Sequence, residues 1–127
     1  MSTPLWSPTP EAIAASSLTR LSAKASAIAG RDLSKYSDLH NWSITEIGDF
    51  WNLVWDDAQI IGDKGEVAYQ PGATFIDAQF FPGAKINVTE NIINRGHDDK
   101  VAIVEILEDG TRSEITWREL RIRVAAT

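Results

Sequence analysis

The 127 residues contain no cysteine. That absence excludes a disulfide framework, a thiolate metal site and a cysteine nucleophile. Histidine is nearly as scarce: His40 and His97 are the whole supply. Positive charge is in deficit, with 12 lysines and arginines against 18 aspartates and glutamates and a net charge of -6. A phosphate backbone would repel such a chain unless its basic groups clustered, which argues against a nucleic-acid partner. The local basic excess is C-terminal, in Arg118, Arg121 and Arg123 with Arg112 upstream, and Glu114 and Glu119 dilute it. It reads as a solvated helix face. Apolar runs are short, and none approaches the roughly 20 residues that span a bilayer. Met1–Pro10 holds three prolines and no charged side chain, so it lacks the basic and apolar regions of a secretory signal. These absences predict a cytoplasmic chain with no membrane partner. The sequons Asn41-Trp42-Ser43 and Asn87-Val88-Thr89 then read as chance matches.

What is present is ordinary globular composition, 43% hydrophobic and 24% charged. The length fits one domain, able to bury roughly two-thirds of its unfolded surface. Pro4-Leu5-Trp6-Ser7-Pro8 reads as an extended lead-in arm, because each X-Pro step disfavours helix. Its Leu5 and Trp6 are apolar enough to dock on another surface. Thr9 as N-cap, Pro10 at the first helical position and Glu11 in the first turn start a helix. Ala14, Leu18, Leu21, Ala25 and Ile28 lie on one face of it, and Gly30 stops it. Tyr36, Leu39 and Trp42 predict a short helix. Ser43-Ile44-Thr45-Glu46 fits a capping box that would launch the next. There Ile47, Phe50, Trp51, Val54 and Trp55 predict a wide, buried aromatic face.

From Gly62 to Gly83 glycines and prolines punctuate the chain, predicting irregular structure with one edge strand. Asn87 caps a short helix with Glu90 three residues on, Val88, Ile92 and Ile93 as its apolar side and Gly96 as its end. Val101–Leu107 is the strongest strand, β-branched and apolar on both faces. Glu108-Asp109-Gly110-Thr111 turns it into a return strand, Ser113–Thr116. Thr116-Trp117-Arg118-Glu119 is a capping box for a last helix with Trp117, Leu120 and Val124 on one side. The fold class is therefore α+β: several helices plus a C-terminal β-hairpin and helix. A two-stranded hairpin is marginal alone, so the ending predicts a natural protein that continues.

The residues offer no catalytic, cofactor-binding or metal site. His97-Asp98-Asp99 are adjacent, so their side chains diverge, and a solvated turn is expected. His40 has no orienting partner. Asp56 and Asp57 point about 100° apart on a helix and form no dyad. Ser16, Ser17 and Ser43 have no histidine at a recognisable spacing. Gly62-Asp63-Lys64-Gly65 and Gly83-Ala84-Lys85 lack the length and the Lys-Ser/Thr ending of a phosphate loop. The tryptophans Trp6, Trp42, Trp51, Trp55 and Trp117 read as packing rather than as a ligand cage.

One segment matches more than a physical pattern. Phe80-Phe81-Pro82-Gly83-Ala84-Lys85-Ile86-Asn87-Val88-Thr89-Glu90-Asn91 resembles the Trp-Phe-Pro-Gly-x-x-Leu-Asn-x-Ala-Glu-Asn signature near the start of acetyl-CoA synthetase-like, acyl-adenylate-forming ligases. Phe80, Ile86 and Thr89 depart mildly from it. The strand at Val101, the hairpin and Thr116-Trp117-Arg118-Glu119-Leu120 follow in the family's order. Pro4–Glu11, Tyr36–Ser43 and Phe50-Trp51 with Val54-Trp55 resemble the acetoacetyl-CoA synthetase branch.

The resemblance implies an N-terminal cap region over 1–98 and the start of an AMP-binding domain over 99–127. It implies a parent ligase that joins acetoacetate to CoA using ATP and Mg, releasing AMP and pyrophosphate. That family's phosphate loop, adenine motif, hinge acid and C-terminal lysine have no counterpart in this chain, so the fragment is expected to be inactive and to need no cofactor. Its expected partners are the remainder of the ligase and, through the hairpin, a second copy. The alternatives are a fragment of an acetyl- or other short-chain acyl-CoA synthetase, or a helical interaction module. A self-sufficient module would bury Phe50, Trp51 and Trp55, whereas a fragment would leave an apolar patch.

Overall fold

The computed structural model describes residues 5–126, so Pro4 of the predicted arm lies outside the described residues. The elements in chain order are helices α1 (Pro10–Ala14), α2 (Ser17–Ala29), α3 (Tyr36–Thr45) and α4 (Ile47–Asp57), strands β1 (Gly62–Asp63), β2 (Tyr69–Gln70), β3 (Gln79–Phe80) and β4 (Lys85–Ile86), helix α5 (Val88–Ile93), strands β5 (Val101–Ile106) and β6 (Arg112–Thr116), and helix α6 (Trp117–Ala125). This is the predicted α+β class. The chain packs as two compact units, one of residues 5–60 and 64–84, the other of 61–63 and 85–126.

In the first unit Thr9 caps α1 as its sequence predicts, its hydroxyl oxygen accepting the Ala12 N–H at 3.2 Å. Leu5 and Trp6 of the arm before it are exposed. The single helix expected from Thr9 to Gly30 is broken at Ala15 and Ser16. Ser16 Oγ accepts the Thr19 N–H at 3.1 Å and so caps a second helix. The Thr19 hydroxyl donates to the Ile13 carbonyl at 2.6 Å, a second bond beside the Ser16 N–H at 3.1 Å. Gly30 stops α2 in the left-handed conformation, φ 65°.

The face of α2 that packs overlaps the predicted one only in part: Leu21 and Ala25 belong to both, Leu18 and Ile28 do not. Leu18 and Ile28 are exposed, whereas Ser22 and Ala25 are buried beside half-buried Leu21 and Ala29. Two serines do the tying. Ser22 donates to the Leu33 carbonyl at 2.5 Å, and the Leu33 N–H donates to Ser26 Oγ at 2.9 Å. The returning chain is thus held by both backbone groups of one residue, and the Leu33 side chain is sealed beneath it.

The capping box expected at Ser43–Glu46 does not form. Ser43 stays inside α3, its hydroxyl donating to the His40 carbonyl at 2.8 Å, and Thr45 donates to the Asn41 carbonyl at 3.1 Å. Hydroxyls that reach back along their own helix leave the next one uncapped. Glu46 alone joins α3 to α4, its N–H bonded to the Trp42 carbonyl at 2.8 Å. The tight corner presses the two helices together around a core of Ala25, Leu33, Leu39, Trp42 and Leu53, with Phe50 against it.

Leu53 lies off the predicted aromatic face, so α4 packs on two sides. Toward the first it meets the core. Toward the second Trp51 is 37% exposed and meets Phe80 at 5.3 Å, while half-buried Trp55 lies 4.9 Å from Phe81. The loop after α4 contains more strand than expected: β2 and β3 pair antiparallel, Tyr69 opposite Phe80. The Thr74 N–H donates to Asp77 Oδ2 at 3.0 Å and starts one 3₁₀ turn, Phe75–Asp77.

In the second unit β1 pairs with β4, and β5 with β6. The hairpin turns at Gly110, φ 84°, where only glycine is unstrained. The predicted capping box of α6 forms fully: the Thr116 N–H donates to Glu119 Oε2 at 2.8 Å, and Glu119 N–H returns to Thr116 Oγ1 at 3.3 Å. The same bond from the Thr116 backbone, aided by its hydroxyl, holds the Glu119 carboxyl below the ordinary glutamate range. A lowered acid stabilises the fold above its ordinary pKa, and the contribution fades as pH falls through the lowered one. Carboxyl NMR titration should therefore find Glu119 below a free glutamate, with Thr116→Ala moving it part of the way back.

α5 ends at Ile93, before the predicted Gly96. Gly96 serves another purpose: a Cβ there would sit 2.1 Å from the Trp117 indole. Arg121 is not part of a merely solvated face. It donates to the Ile93 carbonyl at 2.7 Å and the Gly96 carbonyl at 3.3 Å, and it pairs with Asp98. It therefore caps the C-terminal end of α5. Even so, no described residue of this unit is fully buried, and Ile103 and Val104, on opposite faces of β5, are both exposed.

Candidate functional site

The segment Phe80–Asn91 carries the sequence's most specific motif, and the structure gives nearly every member a backbone task. In the first unit Phe81 adopts a left-handed conformation, φ 48°, with its N–H on the Ala68 carbonyl at 3.0 Å. Its own carbonyl accepts the Ala84 N–H at 2.9 Å, closing the turn at Pro82-Gly83. Gly83 lets the backbone of Gly65 come close: a Cβ on Gly65, φ 70°, would lie 3.3 Å from the Gly83 carbonyl carbon.

In the second unit Asn87 caps α5 by accepting the Glu90 N–H at 3.2 Å. Asn91 is the most engaged side chain of the motif. Its amide oxygen accepts the Ile61 N–H and its amide nitrogen donates to the Ile61 carbonyl, both at 2.8 Å. The same nitrogen reaches the Asn87 carbonyl at 3.0 Å. An asparagine amide thus mimics a strand partner and anchors the start of β1. Sequence reasoning named Asn91 only as a motif letter. Its available signal was an asparagine inside a six-residue helix, a poor helix former needing a reason to be there.

The other weighed residues are not brought together. Asp98 faces Arg118 at 3.5 Å and also Arg121, which makes the His97-Asp98-Asp99 turn an ion-paired corner. His40 stacks on Tyr36 at 6.0 Å on the exposed side of α3. Asp56 and Asp57 part as expected, one to Lys64 at 3.0 Å and the other to Lys24 at 2.6 Å. Ser16 caps a helix, Ser17 accepts from Arg20 at 3.4 Å, and Ser43 bonds backbone. The glycine-rich Gly62–Gly65 stretch is spent on pairing with Ile86 and on the approach to Gly83. Trp42, Trp51 and Trp55 pack on phenylalanines, and Trp117 on Gly96.

The carboxyls with displaced titration are Glu11, Asp32, Asp57, Asp109 and Glu119. All are lowered, each chiefly by a hydrogen bond to the charged form. That is the signature of caps, turns and surface pairs, not of a general acid held protonated. Among the described residues no group of three or more His, Cys, Asp or Glu is placed to hold a metal ion. No helix among them is long and apolar enough to cross a membrane. An apolar groove of about 450 Å³ lies in the first unit, lined by Ile44, Ile47, Phe50, Trp51, Phe75 and Phe80. Its wall is hydrophobic, with Ser43 the polar side chain at its edge. The arrangement packs surfaces and orders backbone.

No family model matches the chain, but individual proteins do. An acetoacetyl-coenzyme A synthetase of Rhizobium meliloti is 36% identical over 123 residues, which is 96% of this chain and 19% of that protein. A malonamoyl-CoA synthetase of Penicillium aethiopicum is 36% identical over 102 residues, 75% of this chain and 14% of its own length. The solved acetoacetyl-CoA synthetase from Streptomyces lividans superposes with a TM-score of 0.80 at 30% identity, over 98% of this chain and 20% of that one.

The chain is a homologue of one segment of an adenylate-forming acyl-CoA ligase. Within that class, the relatives that match nearly all of its length in sequence and in fold are acetoacetyl-CoA synthetases. It spans about a fifth of their length.

Proposed function

We propose that this chain is the N-terminal structural segment of a cytoplasmic acetoacetate–CoA ligase, and that it supplies scaffold rather than chemistry. On this reading residues 1–98 form the cap region and 99–127 open the AMP-binding domain. The remainder of the ligase is the partner, and ATP, Mg and CoA bind there. The observation that carries the proposal is the use of the ligase signature: Pro82, Gly83, Asn87 and Asn91 close a turn, cap a helix and clamp Ile61. The apolar side chains standing on both faces of β5 support it, as strands covered on two sides have this pattern. The acyl group is chosen elsewhere in the parent, since the malonamoyl and acetoacetyl relatives match this segment at the same 36% identity.

The pure 127-residue chain, given ATP, Mg, acetoacetate and CoA, should release no pyrophosphate above a buffer blank. Added to an acetoacetyl-CoA synthetase from which the matching segment has been deleted, it should restore measurable activity. Pyrophosphate release by the chain alone would overturn the proposal.

A further inference from the structure

We infer that the outer edge of β6 is a docking edge for a second copy of this chain, joining two hairpins into a four-stranded antiparallel sheet about a two-fold axis at Ser113. The phase of the hairpin fixes which backbone groups are free to do this. Leu107 N–H donates to the Thr111 carbonyl at 2.9 Å. In an antiparallel ladder the bonded and non-bonded pairs alternate. With Glu105 opposite Ser113, Val104 opposite Glu114 and Ile106 opposite Arg112, the inward-pointing backbone groups belong to Glu105 and Ser113. Those of Val104 and Ile106 on β5, and of Arg112 and Glu114 on β6, point outward.

The two edges differ in what self-pairing would cost. On β5, the register that uses Val104 and Ile106 twice sets Glu105 directly against its own copy, like charge on like charge. A register centred on Val104 runs into the irregularity between Val101 and Ile103, and bulges of this kind blunt an edge. On β6, the register that uses both outward residues twice sets Arg112 against Glu114 of the second copy, and Glu114 against its Arg112. Ser113 meets Ser113 at the centre. This edge is charge-complementary to itself. Arg112 and Glu114 already pair within one strand, so two copies would close an alternating ring of four charges. The pairing makes four backbone hydrogen bonds and turns a marginal two-stranded hairpin into a sheet of four strands. It stands or falls independently of the ligase reading.

The test uses the absence of cysteine. Ser113→Cys occupies a non-hydrogen-bonded pair position, where Cα atoms lie about 4.5 Å apart, within the range a disulfide bridges. Under mild oxidation it should form a covalent dimer, while Glu105→Cys should not. In sedimentation of the uncrosslinked chain over a concentration series, Glu114→Arg should weaken dimerisation about threefold to tenfold. The double exchange Arg112→Glu with Glu114→Arg should restore it, because the register keeps opposite charges opposed. A chain monomeric throughout the series, crosslinking through Glu105→Cys instead, or no rescue by the double exchange would overturn the inference.

Discussion

Replacing Trp42 with alanine is expected to cost about 3–5 kcal/mol of stability, the range for deleting a fully packed tryptophan. Trp42 is 2% exposed, among the largest wholly enclosed side chains of the chain. It sits in α3 where that helix crosses α4, and its ring meets Phe50 edge-on at 6.2 Å. Leu33, Leu39 and Leu53 share the same cluster. The surroundings have little freedom to collapse into the gap. Leu33 is fastened by both of its backbone groups to Ser22 and Ser26, and the Glu46 corner fixes the helix pair. By the same reasoning Trp51→Ala should cost about half as much, since 37% of that side chain already faces solvent. Urea melts of the two variants measure both values. A loss under about 1 kcal/mol at Trp42 would mean that the enclosed ring contributes no more than a surface side chain.

That contrast marks where sequence patterns stop being informative. Helical spacing ranked Trp51 and Trp55 as the heart of a buried face and left Leu53 out. Periodicity finds a face, but not which of two partners the face meets, and α4 meets two: the α2–α3 core on one side, Phe80 and Phe81 on the other. The caps at Thr9 and Thr116 and the stop at Gly30 were legible because each rests on local chemistry that no distant contact overrides.

Ser43 shows the limit of the same logic. Its box had the right letters, but its hydroxyl found the His40 carbonyl one turn back, and the helix ran on. Ser16 shows the reverse, a break that apolar spacing hid and a hydroxyl cap decided. The serines at 22 and 26 and the guanidinium of Arg121 were illegible because their hydrogen-bond partners lie 11, 7, 28 and 25 residues away. Of the candidate site, the motif was visible as letters and its mechanical use was not. A turn, a cap and an amide clamp are distinguished only once Ile61 is seen beside Asn91.

Asn91→Ala should loosen the start of the second unit more than any other single change in the motif. Among its described residues the unit has no fully buried side chain to fall back on, and β1 pairs with β4 over two residues. Removing the amide frees the Ile61 N–H and carbonyl together and takes one of its two donors from the Asn87 carbonyl, which keeps the Asn91 backbone N–H. At roughly 0.5–1.5 kcal/mol net for each bond, the local loss is about 2–4 kcal/mol. Exchange of the Ile61 amide should quicken by about tenfold to a hundredfold or more, on the scale of 1.4 kcal/mol per decade.

Asn91→Asp separates clamp from bulk. The substituted carboxyl keeps the acceptor for the Ile61 N–H, but it sets a negative oxygen against two carbonyls. Its pKa should rise in the folded state, because only the protonated form can donate. A raised acid favours the fold at low pH and loses that advantage as pH rises through its folded-state pKa. The Ile61 amide of Asn91→Asp should thus be better protected in acid than at neutral pH, after correction for intrinsic exchange, whereas Asn91→Ala should show no such dependence. An Ile61 amide that stays slow in Asn91→Ala would remove the clamp from the account. The motif would then be held by its turn at Pro82-Gly83 and its cap at Asn87 alone.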